Sequence, residues 1–194
     1  ALGATAGLDP AGIVAQALKT KPRLPVIWLE LQDCAGCTEA ISRSLSPSLS
    51  NLVLNRISVD YHETLMAAAG TQAEEARRAT MEKYRGQYVL VVEGSPTVLE
   101  GGAFCTIGGR SNLEILKEAA ERAAAVIATG NCAAFGGLPR AEPNPTVAHA
   151  VMDLIKDKPV INIPGCPAIP DVTTGVIAHF LILGALPEMD ALKR

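Results

Sequence analysis

The chain has few aromatic residues: Phe, Trp and Tyr together make up 4% of its 194 residues, with a single Trp. A core must therefore be assembled mostly from Ala, Val, Ile and Leu. A basic surplus is also missing, since 17 Lys and Arg stand against 20 Asp and Glu. No basic stripe or aromatic-plus-basic cluster occurs, which argues against nucleic acid as a partner. No apolar run approaches the roughly 20 residues that span a bilayer, so no transmembrane segment is expected. Only three His are present, at positions 62, 149 and 179, and none stands at metal-ligand spacing from a cysteine. Internal repeats, low-complexity tracts and charge shifts that would mark a second domain are absent.

What remains is a chain of one-domain length with 48% hydrophobic residues and an acidic pI near 5.6. An apolar surplus of this kind is compatible with a buried partner interface. The chain opens without Met, as ALGATAG, which fits either removal of a targeting peptide or a sequence that simply starts there. Its five cysteines are an odd number in a chain too large to need disulfide staples. Metal or redox use is the better expectation.

Four of the cysteines follow apolar runs that read as strands. Cys34 and Cys37 (DCAGCTEA) follow VIWLEL at 26–31, Cys132 (TGNCAAFGG) follows AAVIATG at 124–130, and Cys166 (NIPGCPAIP) follows PVINIPG at 159–165. Two further strands are expected at 52–61 and 88–94. Helices are expected at about 38–45, 63–84, 112–123, 147–156 and 171–186. Between them lie a Gly-rich excursion at 95–111 and a Pro/Gly loop at 134–146. Residues 1–24 read as a lead-in in which Asp9 and Pro10 start a helix, and 25–194 as one domain. Strands alternating with helices predict an α/β fold, a doubly wound, parallel, five-stranded sheet of flavodoxin-like form with helices on both faces. In such sheets ligands collect outside the carboxyl ends of the strands, so the four cysteines should meet there.

Three chemistries suit four such thiols. A C-x-x-C turn opening a helix fits a dithiol oxidoreductase, but it leaves Cys132 and Cys166 without a role, and Asp33 disfavours a reactive thiolate. Structural zinc usually brings two C-x-x-C knuckles rather than one knuckle and two isolated cysteines. An iron–sulfur cluster uses all four thiolates and draws on helix N-termini and close-approaching glycines such as Gly36. Buried, inert cysteines remain a fourth reading. Cys105 reads as a small buried hydrophobe. Glu39 is either a first-turn acid favoured by the helix dipole or part of a proton route. Glu93 ends a buried strand and is expected to bind backbone N–H groups of the cysteine loops. Arg110 is read equally as a neighbour of an anionic cluster or as a solvated side chain. Glu74, Glu75, Arg77 and Arg78 are expected on a solvated helix face. The histidines are expected in packing or surface roles, His149 and His179 on helices.

The segments PVIWLELQDCAGCTEA, ISVDYHETLMAAAG, YVLVVEGSPT, IATGNCAAFGG, AEPNPT and VINIPGCP, in that order, resemble the small subunit of nickel–iron hydrogenases, and the similarity runs from about Pro25 to Leu192. The resemblance implies that Cys34, Cys37, Cys132 and Cys166 ligate a proximal [4Fe–4S] cluster. It implies a large partner subunit carrying the nickel–iron centre, and a redox protein or quinone as electron acceptor. The chain would relay electrons for H2 = 2 H+ + 2 e−. The alternative is a single-cluster subunit of a related quinone or NAD-linked redox complex. The resemblance also implies a periplasmic or membrane-associated placement, with a cytoplasmic one left open. The family's further multi-cluster region is not in this sequence, and PEMDALKR reads as cut mid-stream. Some relatives add two cysteines around the proximal cluster. This chain has Gly36 and Gly137 at those places, which implies an ordinary four-thiolate cluster.

Overall fold

A computed structural model describes residues 22–194. The expected helix start at Asp9-Pro10 lies outside the described residues. The elements of the main layer are β1 (Leu24–Glu30), β2 (Ile57–His62), β3 (Val89–Glu93), β6 (Ala125–Thr129) and β7 (Val160–Ile163). They form one parallel sheet in the order β2-β1-β3-β6-β7. β1, β3 and β6 are buried along their whole length, as continuous apolar runs covered on both faces should be. Alternate residues of each strand feed two cores. Ile27, Leu29, Leu90, Val92, Val126 and Ala128 face one way, and Val26, Trp28, Val89, Val91, Ala125 and Ile127 the other.

The helices divide between those two cores. α3 (Thr71–Lys83), α4 (Asn112–Arg122) and the one-turn α7 (Val151–Leu154) cover the first through Ala73, Met81, Ile115, Leu116 and Val151. α1 (Gly36–Ile41), α2 (Leu49–Asn55) and α8 (Pro170–Leu183) cover the second through Ile41, Leu52, Ile177 and Phe180. The doubly wound expectation therefore holds. Among the described residues no helix is long and apolar enough to cross a membrane.

The element boundaries differ from expectation in several places. Residues 52–61 are not one strand. Ser48 caps α2 by accepting the Asn51 N–H at 3.3 Å, and the Leu49, Leu52, Val53 spacing turns Leu52 into the core. The strand starts only at Ile57. The helix expected at 63–84 starts at Thr71, because Gly70 breaks the backbone at φ 56°, ψ −131° and Thr64 is drawn to Glu30 through its N–H at 3.0 Å. The helix expected at 38–45 ends at Ile41. α5 (Gly130–Phe135), which carries Cys132, runs into the 134–146 loop, and α6 (Gly137–Arg140) lies within it, the two split by Gly136 at φ 95°. The excursion at 95–111 holds a short hairpin, β4 (Thr106–Ile107) with β5 (Arg110–Ser111). His149 precedes α7 rather than lying on it.

The largest correction concerns α3. Glu74 and Arg77 do not lie on a solvated face: Arg77 is fully buried and Glu74 is 8% exposed. Arg77 donates to Glu74 at 2.6 and 3.2 Å, lies 3.7 Å from Glu118, and stacks its guanidinium 5.9 Å from the Tyr61 ring centroid. Tyr61 donates to Glu74 at 2.9 Å. Arg78 and Glu75 one position on did not reveal this, because i,i+3 pairs look alike in sequence whether the helix turns them in or out. Removing one partner leaves the other charge buried and unpaired. Arg77→Ala should therefore destabilise the fold by about 3–5 kcal/mol. The double replacement Glu74→Leu, Arg77→Met should recover most of it. Denaturant unfolding midpoints of the three chains check this, and equal midpoints for single and double variants would contradict it.

Candidate metal centre

Each cysteine segment begins where its strand stops. β1 delivers Cys34 and Cys37 on a turn that enters α1 through Ala35 at φ 56°. β6 delivers Cys132 on α5, and β7 delivers Cys166 through Gly165 at φ 132°. The four residues Cys34, Cys37, Cys132 and Cys166 line one cavity of about 90 Å³, together with Asp33, Glu93, Gly94 and Asn131. Cys34 and Cys166 are exposed at its mouth, while Cys37 and Cys132 are half-buried. The structure thus brings together all four cysteines expected to meet.

Glycines in the walls leave room for the cysteine sulfurs. A Cβ on Gly130 would stand 2.5 Å from the Cys37 Sγ, and one on Gly137 2.6 Å from the Cys132 Sγ. Both glycines have positive φ, so no other residue combines that turn with that approach. Gly36 is less crowded: a would-be Cβ there stands 3.1 Å from the Cys34 Sγ. Backbone donors point at sulfur: the Ala168 N–H donates to the Cys37 Sγ at 3.5 Å, and the Leu138 N–H reaches Cys132. Burial pushes the Cys37 thiol up to about 11, the Ala168 N–H offsets part of this, and Glu93 and the neighbouring cysteines add to it. Burial also raises Cys132, which the Leu138 N–H only partly offsets. A bound cation reverses the balance by favouring the thiolate. A dithiol oxidoreductase would use Cys34 and Cys37 and leave Cys132 and Cys166, which line the same cavity, without a role. The donor set therefore fits a metal–sulfur group.

Carboxylates crowd the inner wall. Glu93, 2% exposed, accepts the Cys37 N–H at 2.9 Å, the Thr38 hydroxyl at 2.6 Å and the Trp28 indole N–H at 3.3 Å. Its expected structural role is therefore met. Burial is the main cause that raises its carboxyl. Glu30, Asp33 and Glu93 place one carboxylate oxygen each within 4.8 Å of one another. Partial burial, then Glu93 and Glu30, push Asp33 up to about 7. His62 is buried, stacks on Trp28 at 5.2 Å and lies 3.7 Å from Glu30. Burial lowers it more than Glu30 raises it, so the imidazole is held neutral. The available signal for Glu30 was an acid inside an otherwise apolar strand.

The remaining candidates lie elsewhere. Cys105 is half-buried against the first core, and burial pushes its thiol up to about 11. Glu39 is exposed and paired with Arg43 at 2.7 Å. Arg110 is paired with Glu118 at 2.7 Å and lies 3.7 Å from Glu114, not beside the cysteines. His179 sits on α8 and bonds the Ala185 carbonyl at 3.0 Å.

Comparison with known proteins gives three concordant findings. The family described as NADH ubiquinone oxidoreductase, 20 kDa subunit, matches residues 34–180. The uptake hydrogenase small subunit of Azotobacter vinelandii is 49% identical over 189 residues, covering 96% of this chain and 53% of the relative. The hydrogenase-1 small chain of Escherichia coli K12 is 46% identical over 193 residues, covering 100% and 51%. The chain thus spans about half the length of the curated relatives it matches. Among solved structures, a reduced, active form of the Ni-Fe-Se hydrogenase of Desulfomicrobium baculatum superposes with TM-score 0.86 at 30% identity, covering 89% of this chain and 69% of that one. The [NiFeSe] hydrogenase of Desulfovibrio vulgaris Hildenborough gives 0.83 at 37%, covering 90% and 69%.

An acid that lies beside Glu30 but outside the cavity carries a pH dependence. Partial burial pushes Glu63 up to about 7, with Glu30 and Asp33 adding to the rise against the Glu30 N–H that lowers it. Folding thus favours the protonated acid. The stability this contributes is complete below the ordinary value of 4.5 and is lost as pH rises through about 7. Glu63→Gln should flatten thermal stability between pH 5 and 8, with wild type falling below the variant at the alkaline end. Parallel curves would contradict this.

Proposed function

We propose, for a chain that belongs to the NADH ubiquinone oxidoreductase 20 kDa subunit family, that it is the electron-relaying part of a hydrogenase small subunit. In this reading Cys34, Cys37, Cys132 and Cys166 hold a [4Fe–4S] cluster at the sheet edge. When bound, the cluster takes up and releases single electrons. The observation that carries the reading is the convergence of four strand-end cysteines, and of no other described cysteine, on one cavity with glycine walls and N–H donors facing sulfur. The identity to hydrogenase small subunits, near one half, supports that side of the family over its quinone- or NAD-linked members. The family's own description keeps the second reading, a one-cluster subunit of such a complex, in view.

In this reading the chain's own residues supply position, shelter and charge. Ala168 and Leu138 donate N–H groups to sulfur, which stabilises thiolate over thiol. Glu93 and Thr38 fix the start of α1 behind Cys37. Cys34 and Cys166 are exposed, and Leu138 and Ile169, each close in sequence to a cysteine, are 85% and 60% exposed. Exposed apolar side chains following the third and fourth cysteines fit a partner that covers this edge. That partner is a large subunit carrying a nickel–iron centre, and electrons leave toward a redox protein or quinone. Glu39, exposed two residues past Cys37, stays a candidate for proton exchange on the partner-facing side.

Replacing Cys34, Cys37, Cys132 or Cys166 by Ser, one at a time, should remove or convert the cluster in the purified complex. Iron content and EPR read the outcome, and a variant with unchanged iron and spectrum would not have lost a ligand. Cys105→Ala should leave both at wild-type level, and loss of about one iron in four would show that Cys105 is a ligand instead. Nickel in the co-purified partner separates the two readings: its presence supports hydrogenase, and iron without nickel supports the quinone- or NAD-linked complex.

A further inference from the structure

Hydrogen bonding between neighbouring strands does not end where the strands end. The β1 and β3 segments continue through Gln32 and Ser95, whose backbones exchange bonds at 3.3 and 3.1 Å. From β3 to β6 the link is the Ser95 hydroxyl, which lies 2.9 Å from the Cys132 carbonyl and 2.6 Å from the Gly136 carbonyl. Between β6 and β7 the last ladder pair is Thr129 opposite Ile163. Beyond it both chains turn away through glycine, Gly130 at φ 83° and Gly165 at φ 132°.

Asn131 spans that divergence. Its N–H donates to the Gly165 carbonyl at 2.7 Å, and its side-chain Oδ1 accepts the Gly165 N–H at 2.9 Å. In the parallel β6–β7 ladder a residue's N–H and carbonyl bond to different partners. Asn131 instead bonds Gly165 in both directions, once through its backbone and once through its side-chain amide, a two-bond clamp beyond the ladder. Asn131 directly precedes Cys132, and Gly165 directly precedes Cys166. These are the two cysteines that no shared turn fixes, unlike Cys34 and Cys37. Asp would offer the same acceptor at the same reach. It would also add a charge to a cavity that Asp33 and Glu93 already line.

We infer that Asn131 is a positioning residue of the metal centre: its side chain completes a two-bond clamp on Gly165 past the ends of β6 and β7 and thereby sets Cys132 against Cys166, without being a ligand. The inference rests on the reading that the four cysteines hold an iron–sulfur cluster.

The test uses the native complex containing the full chain, with Asn131→Ala and Asn131→Asp. Three quantities are read: the EPR line shape of the reduced cluster, its midpoint potential, and the rate of iron loss to a chelator under mild oxidation. N131A should change the line shape and lose iron about tenfold faster, the scale on which outer hydrogen bonds support metal affinity. N131D restores the acceptor and should return line shape and iron loss to wild type, while its added charge moves the midpoint to lower potential. If N131A does not assemble, Asn131→Ser, whose hydroxyl is too short to reach Gly165, takes its place in the comparison. N131A with wild-type line shape and iron loss would overturn the inference, even if its melting temperature fell. N131D as labile as N131A would overturn it as well. A wild-type complex without iron would overturn the cluster reading, and this inference with it; a wild-type complex with four irons and an unaffected N131A would overturn this inference alone.

Discussion

The parallel sheet order β2-β1-β3-β6-β7 is the constraint on which the rest of this molecule depends. Cys34 and Cys166 are 132 positions apart in the chain, and nothing local could hold them in one cavity. Parallel pairing sends every strand out through the same edge, and the register of β1, β3, β6 and β7 brings their ends level. Glu30 stands opposite Glu93, Glu93 opposite Thr129, and Thr129 opposite Ile163. A slip of one residue in any pair would turn a buried face outward and displace a cysteine together. Core packing and the cysteine cavity are therefore specified by the same pairings.

That edge is also where the structure concentrates polar groups in the interior. Glu30, Glu93, His62 and Thr38 are all buried, and each is tied to a group that serves the cysteine turn or its neighbour. Burial without full compensation raises Glu93 and lowers His62. The thiols respond to the same environment, and burial raises both Cys37 and Cys132. Both effects have one physical source, a low-dielectric wall already carrying negative charge. Such a wall disfavours free thiolates and suits a group that supplies its own positive charge. Cys34 and Cys166 are exposed on the other side, so one face of the site is open.

Much of this was legible in the sequence because it rests on period and punctuation. The continuous apolar runs VIWLEL and AAVIATG announce doubly covered strands, and the glycines beside Cys132 and Cys166 announce tight turns. The four cysteines were found by their position after those runs. What the sequence hid was direction. Leu49 to Asn55 carry residues that suit a strand as well as a helix, and only the Ser48 cap and the burial of Leu52 decide between them. Glu74 and Arg77 look like a surface pair until Tyr61 and Glu118 are brought against them by β2 and α4. Asn131 was unremarked because its clamp on Gly165 exists only once two strands distant in sequence end side by side.

The most direct measurement is anomalous X-ray diffraction from crystals of the native complex, with data on both sides of the iron edge. The account predicts one compact iron peak in the cavity at the carboxyl edge of the sheet, bounded by the sulfurs of Cys34, Cys37, Cys132 and Cys166, with Cys105 outside it. A peak that appears only at the zinc edge, a peak bounded by fewer than these four sulfurs, or an empty cavity with Cys34 and Cys37 joined as a disulfide would contradict it.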